Sequence, residues 1–380
     1  MRPAAAALWG SAALLAYAQV GYPLLLVVLA RVRRSPDDAA RARRTDPPAE
    51  PRVSLIVAAH REQDVIAERV ANARALDWPA ERLEVIVACD GSPDATAQRA
   101  REAGADLVLE LPWGGKVRAQ DAAVAQARGE LLAFSDANAR WEPGALRALV
   151  ARFADERVGY ACGRVRFVGD DGTNQEGLYW RYEMAIRGLE SRLASVTAGN
   201  GAIYAVRPQA YVHVDPVMGH DLSLPFQLVK RGWRAVDEPE ARASEKMVPT
   251  IEGEFARKRR MMSHAWPIVL RGGLLSPRGY PPLYALMIAS HRLLRYATPA
   301  LHVAALAAAS ADAPRSRIAR AALGAQLALL GAAAAGARVR ARPLLVARYY
   351  VLTTASIAAG LWDHLRHGTP AGWSPPEGTR

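Results

Sequence analysis

Apolar and polar positions fall into three regimes along the chain. Residues 4–30 carry no formal charge. Coiled as a helix at about 1.5 Å per residue, that run reaches about 40 Å, more than the ~30 Å hydrocarbon layer of a bilayer. It is predicted to be a retained membrane helix and not a cleaved leader. The run is longer than a signal core, and Arg31, Arg33 and Arg34 follow it instead of a small-residue cleavage site. With Arg41, Arg43 and Arg44 behind them, these arginines place the next domain on the cytoplasmic side.

The middle regime begins after a Pro-rich linker at residues 46–52. Continuous apolar runs of strand length occur at residues 53–59, 83–89, 106–111 and 131–135. Segments with helical spacing separate them: residues 62–76 (Val65, Ile66, Val70, Ala73, Leu76), 95–103 and 117–128. Strands alternating with helices predict an α/β domain whose sheet is mainly parallel, with helices on both faces. Ligands of such sheets bind outside the carboxyl ends of the strands. A further apolar stretch, residues 202–206, reads as a strand entered through a tight glycine loop, and residues 226–231 as helical.

The last hundred residues are Ala/Leu-rich with little alternation. Uncharged stretches lie at 296–311, 321–337 and 349–362, each shorter than the ~20 residues of an unambiguous span. Arg292, Arg295, Arg320, Arg338 and Arg348 at their ends can snorkel and lengthen them. Two to four further passes are expected.

Composition narrows the function classes. The chain has 380 residues and a net charge of +12, yet only four lysines, Lys116, Lys230, Lys246 and Lys258. Its arginines are scattered and not gathered with aromatics into one stripe, which argues against a nucleic-acid binder. Cys89 and Cys162 sit inside apolar stretches, as expected of buried thiols in a reducing compartment.

The residues after each strand are polar: His60-Arg61-Glu62, Asp90-Gly91-Ser92-Pro93-Asp94, Trp113-Gly114-Gly115-Lys116 and Asp136-Ala137-Asn138. No G-x-G-x-x-G follows the first strand, so a dinucleotide site is unsupported, and Gly114-Gly115-Lys116 lacks the remainder of a P-loop. A rim with carboxylates, one lysine and an Asp-x-Asn pair suits a hard divalent cation bridging a diphosphate.

These motifs, together with Gly199-Asn200-Gly201, His220-Asp221 and the 254–260 run Glu-Phe-Ala-Arg-Lys-Arg-Arg, resemble the family 2 inverting glycosyltransferases of GT-A fold across roughly residues 52–262. The membrane frame resembles the family's polysaccharide-synthase branch, which includes the hyaluronan, chitin and poly-N-acetylglucosamine synthases. The resemblance implies a GT-A domain with transmembrane helices at both ends. It divides the chain into a membrane helix (1–30), a basic linker (31–50), a cytosolic catalytic domain (51–250), interfacial amphipathic helices (251–278), a membrane region (279–363) and a tail (364–380).

It further implies an inverting hexosyl- or N-acetylhexosaminyl-transferase of a bacterial inner membrane, working in polysaccharide synthesis, that uses a nucleotide-diphosphate sugar, a UDP-sugar first, with Mg²⁺ or Mn²⁺. Glycan or lipid is the implied acceptor and a bilayer the setting, with no nucleic acid. By resemblance Ala59, Glu62, Asp90, Lys116 and Asp136 bind the nucleotide sugar, and Asp136 and Asn138 the metal. Asp221 is the base. Gly199, Asn200, Gly201, His220, Arg257 and Arg260 face the acceptor or diphosphate.

Several positions depart from the family pattern. Asn138 replaces the usual second acid, and its amide carbonyl ligates without charge. Asp121 and Arg61 stand where the family often has Asn. His220 replaces an acid beside the base, where an imidazolium would favour the ionised carboxylate and a low pH optimum. Arg257 and Met261 replace the Gln and Trp of the Gln-x-x-Arg-Trp motif, which weakens a processive reading and favours transfer of one sugar to a polyprenyl phosphate or other lipid. Asn138 and His220 together leave open a non-catalytic donor-binding subunit of an export complex.

Overall fold

The computed structural model describes residues 2–33, 50–169 and 176–372. Arg34, Arg41, Arg43, Arg44 and most of the Pro-rich linker lie outside the described residues. The strands β1 (Val53–Ala59), β2 (Leu83–Asp90), β3 (Leu107–Leu111) and β4 (Leu131–Asp136) run parallel in the order β3-β2-β1-β4. β1 is buried along its whole length, which is why its sequence is a continuous apolar run and not an alternation.

The connecting helices are α2 (Ile66–Arg74), α3 (Thr96–Glu102) and α4 (Lys116–Val124). The helix expected over 62–76 starts only at Ile66. Arg61 takes a left-handed φ of 55°, and Glu62 O accepts the amides of Val65 and Ile66, so residues 62–65 form a turn.

Beyond β4 the order continues β7-β6-β8-β5. β7 (Tyr204–Val206) is antiparallel to both β4 and β6 (Val158–Val168). β8 (Arg234–Lys246) runs parallel to β6, and β5 (Arg140–Trp141) antiparallel to β8. The sheet is thus mixed, and mainly parallel in the half that carries the first motifs. β8 gave no strand signal in its sequence, RAVDEPEARASEK; its pairing with β6 and the burial of Ala235, Val236, Ala241 and Ala243 make it one. α5 (Ala145–Arg152), α6 (Glu176–Leu193) and α7 (His220–Lys230) complete the domain.

The N-terminal run forms one helix, α1 (Pro3–Val32), with a π turn at Tyr17–Gly21. Residues 251–278 hold a single helix, α8 (Ile251–Leu270), and then a loop; Thr250 Oγ1 caps α8 by accepting the Gly253 amide at 3.1 Å. α9 (Pro282–Met287) passes through a π turn into α10 (Leu294–Asp312), followed by α11 (Arg317–Ala335) and α12 (Arg342–His367). The uncharged stretches at 296–311, 321–337 and 349–362 fall on α10, α11 and α12. Among the described residues, α1, α11 and α12 are long and apolar enough to cross a membrane.

A buried polar junction joins these helices to the sheet domain. The Tyr22 hydroxyl of α1 donates to Glu190 of α6 at 2.6 Å, where His291 Nδ1 also lies at 2.7 Å and the Thr197 hydroxyl donates at 2.9 Å. Burial opposes the charge on Glu190, but His291, Arg292 and the Tyr22 hydrogen bond outweigh it and lower its pKa. Cys89 and Cys162 are buried and free.

Candidate active site

β1 lies between β2 and β4, so consecutive connections leave it in opposite directions and open a crevice at the carboxyl ends of β1 and β4. Ala59 closes β1 and is fully buried. The loop after it is stitched to the loop after β2: His60 Nδ1 lies 2.6 Å from Asp90 O, the Arg61 amide donates to Ser92 Oγ at 3.1 Å, and the Glu62 amide to Thr96 Oγ1 at 2.9 Å. Glu62 itself is buried.

Asp90, also buried, accepts the amide of Gly114 at 2.7 Å through one carboxylate oxygen and that of Gly115 at 2.9 Å through the other. Its charge therefore fixes the Trp113-Gly114-Gly115 turn. Gly115 sits at φ 103°, a backbone shape that favours glycine, and delivers the chain into α4 at Lys116.

The Lys116 ammonium is ion-paired to Asp136 at the end of β4. Burial works against that ammonium, but the charge and hydrogen bond of Asp136 outweigh it, with further contributions from Asp221 and Glu245, and its pKa is raised. A methyl group placed on Gly201 would lie 3.2 Å from Lys116 Nζ and 3.6 Å from an Asp136 carboxylate oxygen, so the 199–201 loop borders the same pair. That loop is tied to the start of α7, the Gly199 amide donating to Asp221 O at 2.7 Å. Arg187 of α6 holds the other side, donating to Gly199 O at 2.7 Å. Lys116, Asp136, Gly201 and Asp221 thus share one rim, brought together by β4, α4, the 199–201 loop and α7.

Asn138 lines a cavity of about 230 Å³ with Arg69, Asn72 and Glu245. Among the described residues no three of His, Cys, Asp and Glu converge as a complete metal cage. The Asp136 carboxylate and the Asn138 amide carbonyl are hard oxygen donors of the kind Mg²⁺ or Mn²⁺ takes, with phosphate oxygens and water for the rest of its shell, although Asp136 does not line the cavity that holds Asn138.

Three sequence expectations are revised. His220 is the first residue of α7, and its ring is buried. Its Nδ1 pairs with the Tyr204 hydroxyl at 2.9 Å, and Tyr211 and Phe134 meet its ring edge-on. Burial first, then the charge of Lys116, pushes its pKa down to about 3. His220 is thus a neutral imidazole of the interior, not a cation beside the base.

Asn200 is likewise structural. It donates to Gly163 O at 2.6 Å and accepts the amides of Ala202 and Ile203, which pins the loop to β6 and shapes the approach to β7. Arg257 is engaged with the buried Glu254 at 2.7 Å, an acid that also binds Lys258 at 2.9 Å, while Arg259 pairs with Asp363 of α12 at 2.6 Å. Arg260 lies on the same helix, α8.

Sequence reasoning missed Glu245, whose charge acts on Lys116. Its strand is mostly polar, so no pattern singled it out. It also missed Tyr211, which donates to Asp121 at 2.7 Å next to His213, 2.9 Å from the same carboxylate oxygen.

Residues 54–208 match the model of Glycosyl transferase family 2. That segment carries the likeness to the family, and the fold is GT-A. A beta-monoglucosyldiacylglycerol synthase of Trichormus variabilis is 33% identical over 159 residues, 40% of this chain and 32% of the relative. A probable glycosyltransferase of Bacillus subtilis is 30% identical over 127 residues, 31% of this chain and 30% of the relative. The chain spans about a third of the length of the curated relatives it matches. A solved mannosyltransferase of Pyrobaculum calidifontis, in complex with GDP-Man and Mn²⁺, superposes with a TM-score of 0.69 at 22% identity, covering 94% of this chain and 98% of that one. Its likeness in fold extends beyond the sheet domain to the helices at both ends.

Proposed function

We propose that this protein is an inverting glycosyltransferase that moves one sugar from a nucleoside-diphosphate sugar to a hydroxyl or phosphate oxygen of a lipid acceptor at a membrane surface. The observation that carries this reading is the shared rim of Lys116, Asp136, Gly201 and Asp221. Transfer from such a donor requires charge on the departing diphosphate to be neutralised and, for a hydroxyl acceptor, a proton to be removed.

Lys116 supplies a point cation for the diphosphate, held at the rim by Asp136. Asp136 and Asn138 would hold Mg²⁺ or Mn²⁺, which supplies a Lewis acid for the phosphates. Asp221 would act as general base; it lies in the first turn of α7, and its backbone carbonyl accepts the Gly199 amide of the 199–201 loop. Ala59, Glu62 and the Asp90-anchored turn border the nucleoside, the backbone at Gly199–Gly201 the acceptor.

A single transfer is favoured over polymer synthesis because Arg257, in the place of the motif's Gln, is engaged with the buried Glu254. Met261, where processive enzymes stack a sugar on an aromatic, is 39% exposed and offers no ring. The glycolipid synthases among the relatives point the same way. The test is a screen of UDP- and GDP-sugars with purified membranes, Mg²⁺ or Mn²⁺, and mass analysis of the products. One sugar on an extracted lipid is the expected result. A water-soluble polymer would replace this reading with polysaccharide synthesis, and donor binding without any transfer would replace it with a non-catalytic subunit.

A further inference from the structure

The last described residues return to the donor side of the domain. After α12 the chain turns at Gly368, φ 71°, and the Thr369 hydroxyl donates to Ser263 O of α8 at 2.8 Å while lying 2.9 Å from His364 Nδ1. Ala371 then lies across Gly115. A methyl group on Gly115 would come within 2.2 Å of Ala371 O, and one on Gly372 within 2.0 Å of the Trp113 indole. The two segments interlock through a glycine on each side: a side chain on Gly115 would meet the Ala371 backbone and force them apart, and one on Gly372 would push the Trp113 ring off the strap.

The partner segment is the turn that Asp90 anchors and that leads into Lys116. It holds two adjacent glycines, a backbone with many accessible shapes, which Asp90 restrains only at their two amides. Trp113 remains 59% exposed despite the contact.

We propose that residues 369–372 form a strap that completes the donor site. The strap holds the Trp113-Gly114-Gly115 turn in the form that presents Lys116 to a nucleoside diphosphate. Through Thr369 it ties that turn to α8 and α12, so the donor site and the helical frame set one another's geometry. The identity of the ligand rests on the reading of the protein as a nucleotide-sugar enzyme; the mechanical link does not.

The test uses the full chain in detergent, a chain ending at Gly372, a chain ending at Gly368, and the full-length variant Gly372→Leu. UDP and GDP are the probes, read by calorimetry. The chain ending at Gly372 is expected to bind within about twofold of the full chain. The chain ending at Gly368 and the Gly372→Leu variant are expected to bind about tenfold more weakly, because binding must then order the turn. A peptide of residues 368–380 added in trans is expected to restore much of the affinity of the shortest chain, which a merely destabilised fold does not allow.

Hydrogen exchange over residues 113–117 needs no nucleotide and is expected to quicken in the shortest chain and in Gly372→Leu. Unchanged exchange with unchanged affinity overturns the strap. Quickened exchange in a protein whose full chain binds neither nucleotide sinks the donor reading and leaves the strap standing.

Discussion

At the scale of single residues, charge and burial decide what each polar group of the rim does. Asp221→Asn keeps the shape of α7 but removes the proposed base. The expected outcome is a fall in kcat of about 10²-fold or more with donor affinity little changed, read by steady-state kinetics and calorimetry on the same preparation. Retained turnover in a folded Asp221→Asn protein would take this residue out of the mechanism. His220 gives a different signature. Its folded pKa, about 3, lies below the ordinary value near 6.5, so the unfolded chain takes up a proton in the window between those values and the folded chain does not. Stability from this group is complete above pH 6.5 and is lost as pH falls, by ~2 kcal/mol at pH 5. Melting temperatures of wild type and His220→Gln between pH 7.5 and 5 check this: the wild-type slope is expected to be steeper. Equal slopes would mean that the ring is not held neutral.

At the scale of elements, the site is made of turns whose backbone is held by side chains from other turns. Asp90 is the strongest case, because one carboxylate accepts two amides of the turn before α4. Asp90→Asn loses the charge-assisted character of both bonds and places an amide donor against an amide donor. The donor KM is expected to rise about tenfold, with a smaller change in kcat, since the group positions Lys116 and does not itself react. A kcat loss without a KM change would assign Asp90 to the chemistry instead. α8 and α12 form the second such unit. They approach so closely that a methyl group on Gly360 would sit 2.5 Å from Met262 Cβ and 2.8 Å from the Ser263 amide. Gly360→Leu is therefore expected to cost about 1–3 kcal/mol through overpacking, visible as a lowered melting temperature in detergent. An unchanged melt would show that this contact is not tight in solution.

At the scale of the whole molecule, the helical frame has a direction. Arg2 pairs with Asp312, so the start of α1 and the end of α10 lie together, while Tyr22 and His291 meet at Glu190 beside the sheet domain. Arg348 of α12 pairs with Glu252 of α8, and Trp266 donates to Ile357 O at 3.0 Å, so α12 runs against α8 for much of its length. We expect α12 to lie at the membrane surface with α8, although its composition is apolar enough to span. Single cysteines at positions 314 and 372 are expected to label from opposite faces of sealed vesicles, residue 372 from the face of the catalytic domain. Labelling from the same face would show that α12 crosses.

The sequence alone fixed what depends on local pattern. Uninterrupted apolar runs marked β1, β2 and β4, because buried parallel strands tolerate no polar face, and the polar residues after them marked the rim. The uncharged stretches marked the long helices for the same reason of length and composition. Tertiary structure decided the rest. β8 is a strand because β6 offers it a partner, a fact that thirteen mostly polar residues do not encode locally. Whether His220 carries charge, whether Asn200 faces a ligand or pins a loop, and whether Arg257 is committed to Glu254 all depend on neighbours distant in the chain or on burial. Desolvation and pairing energies are properties of the assembled surroundings, and no single segment contains them.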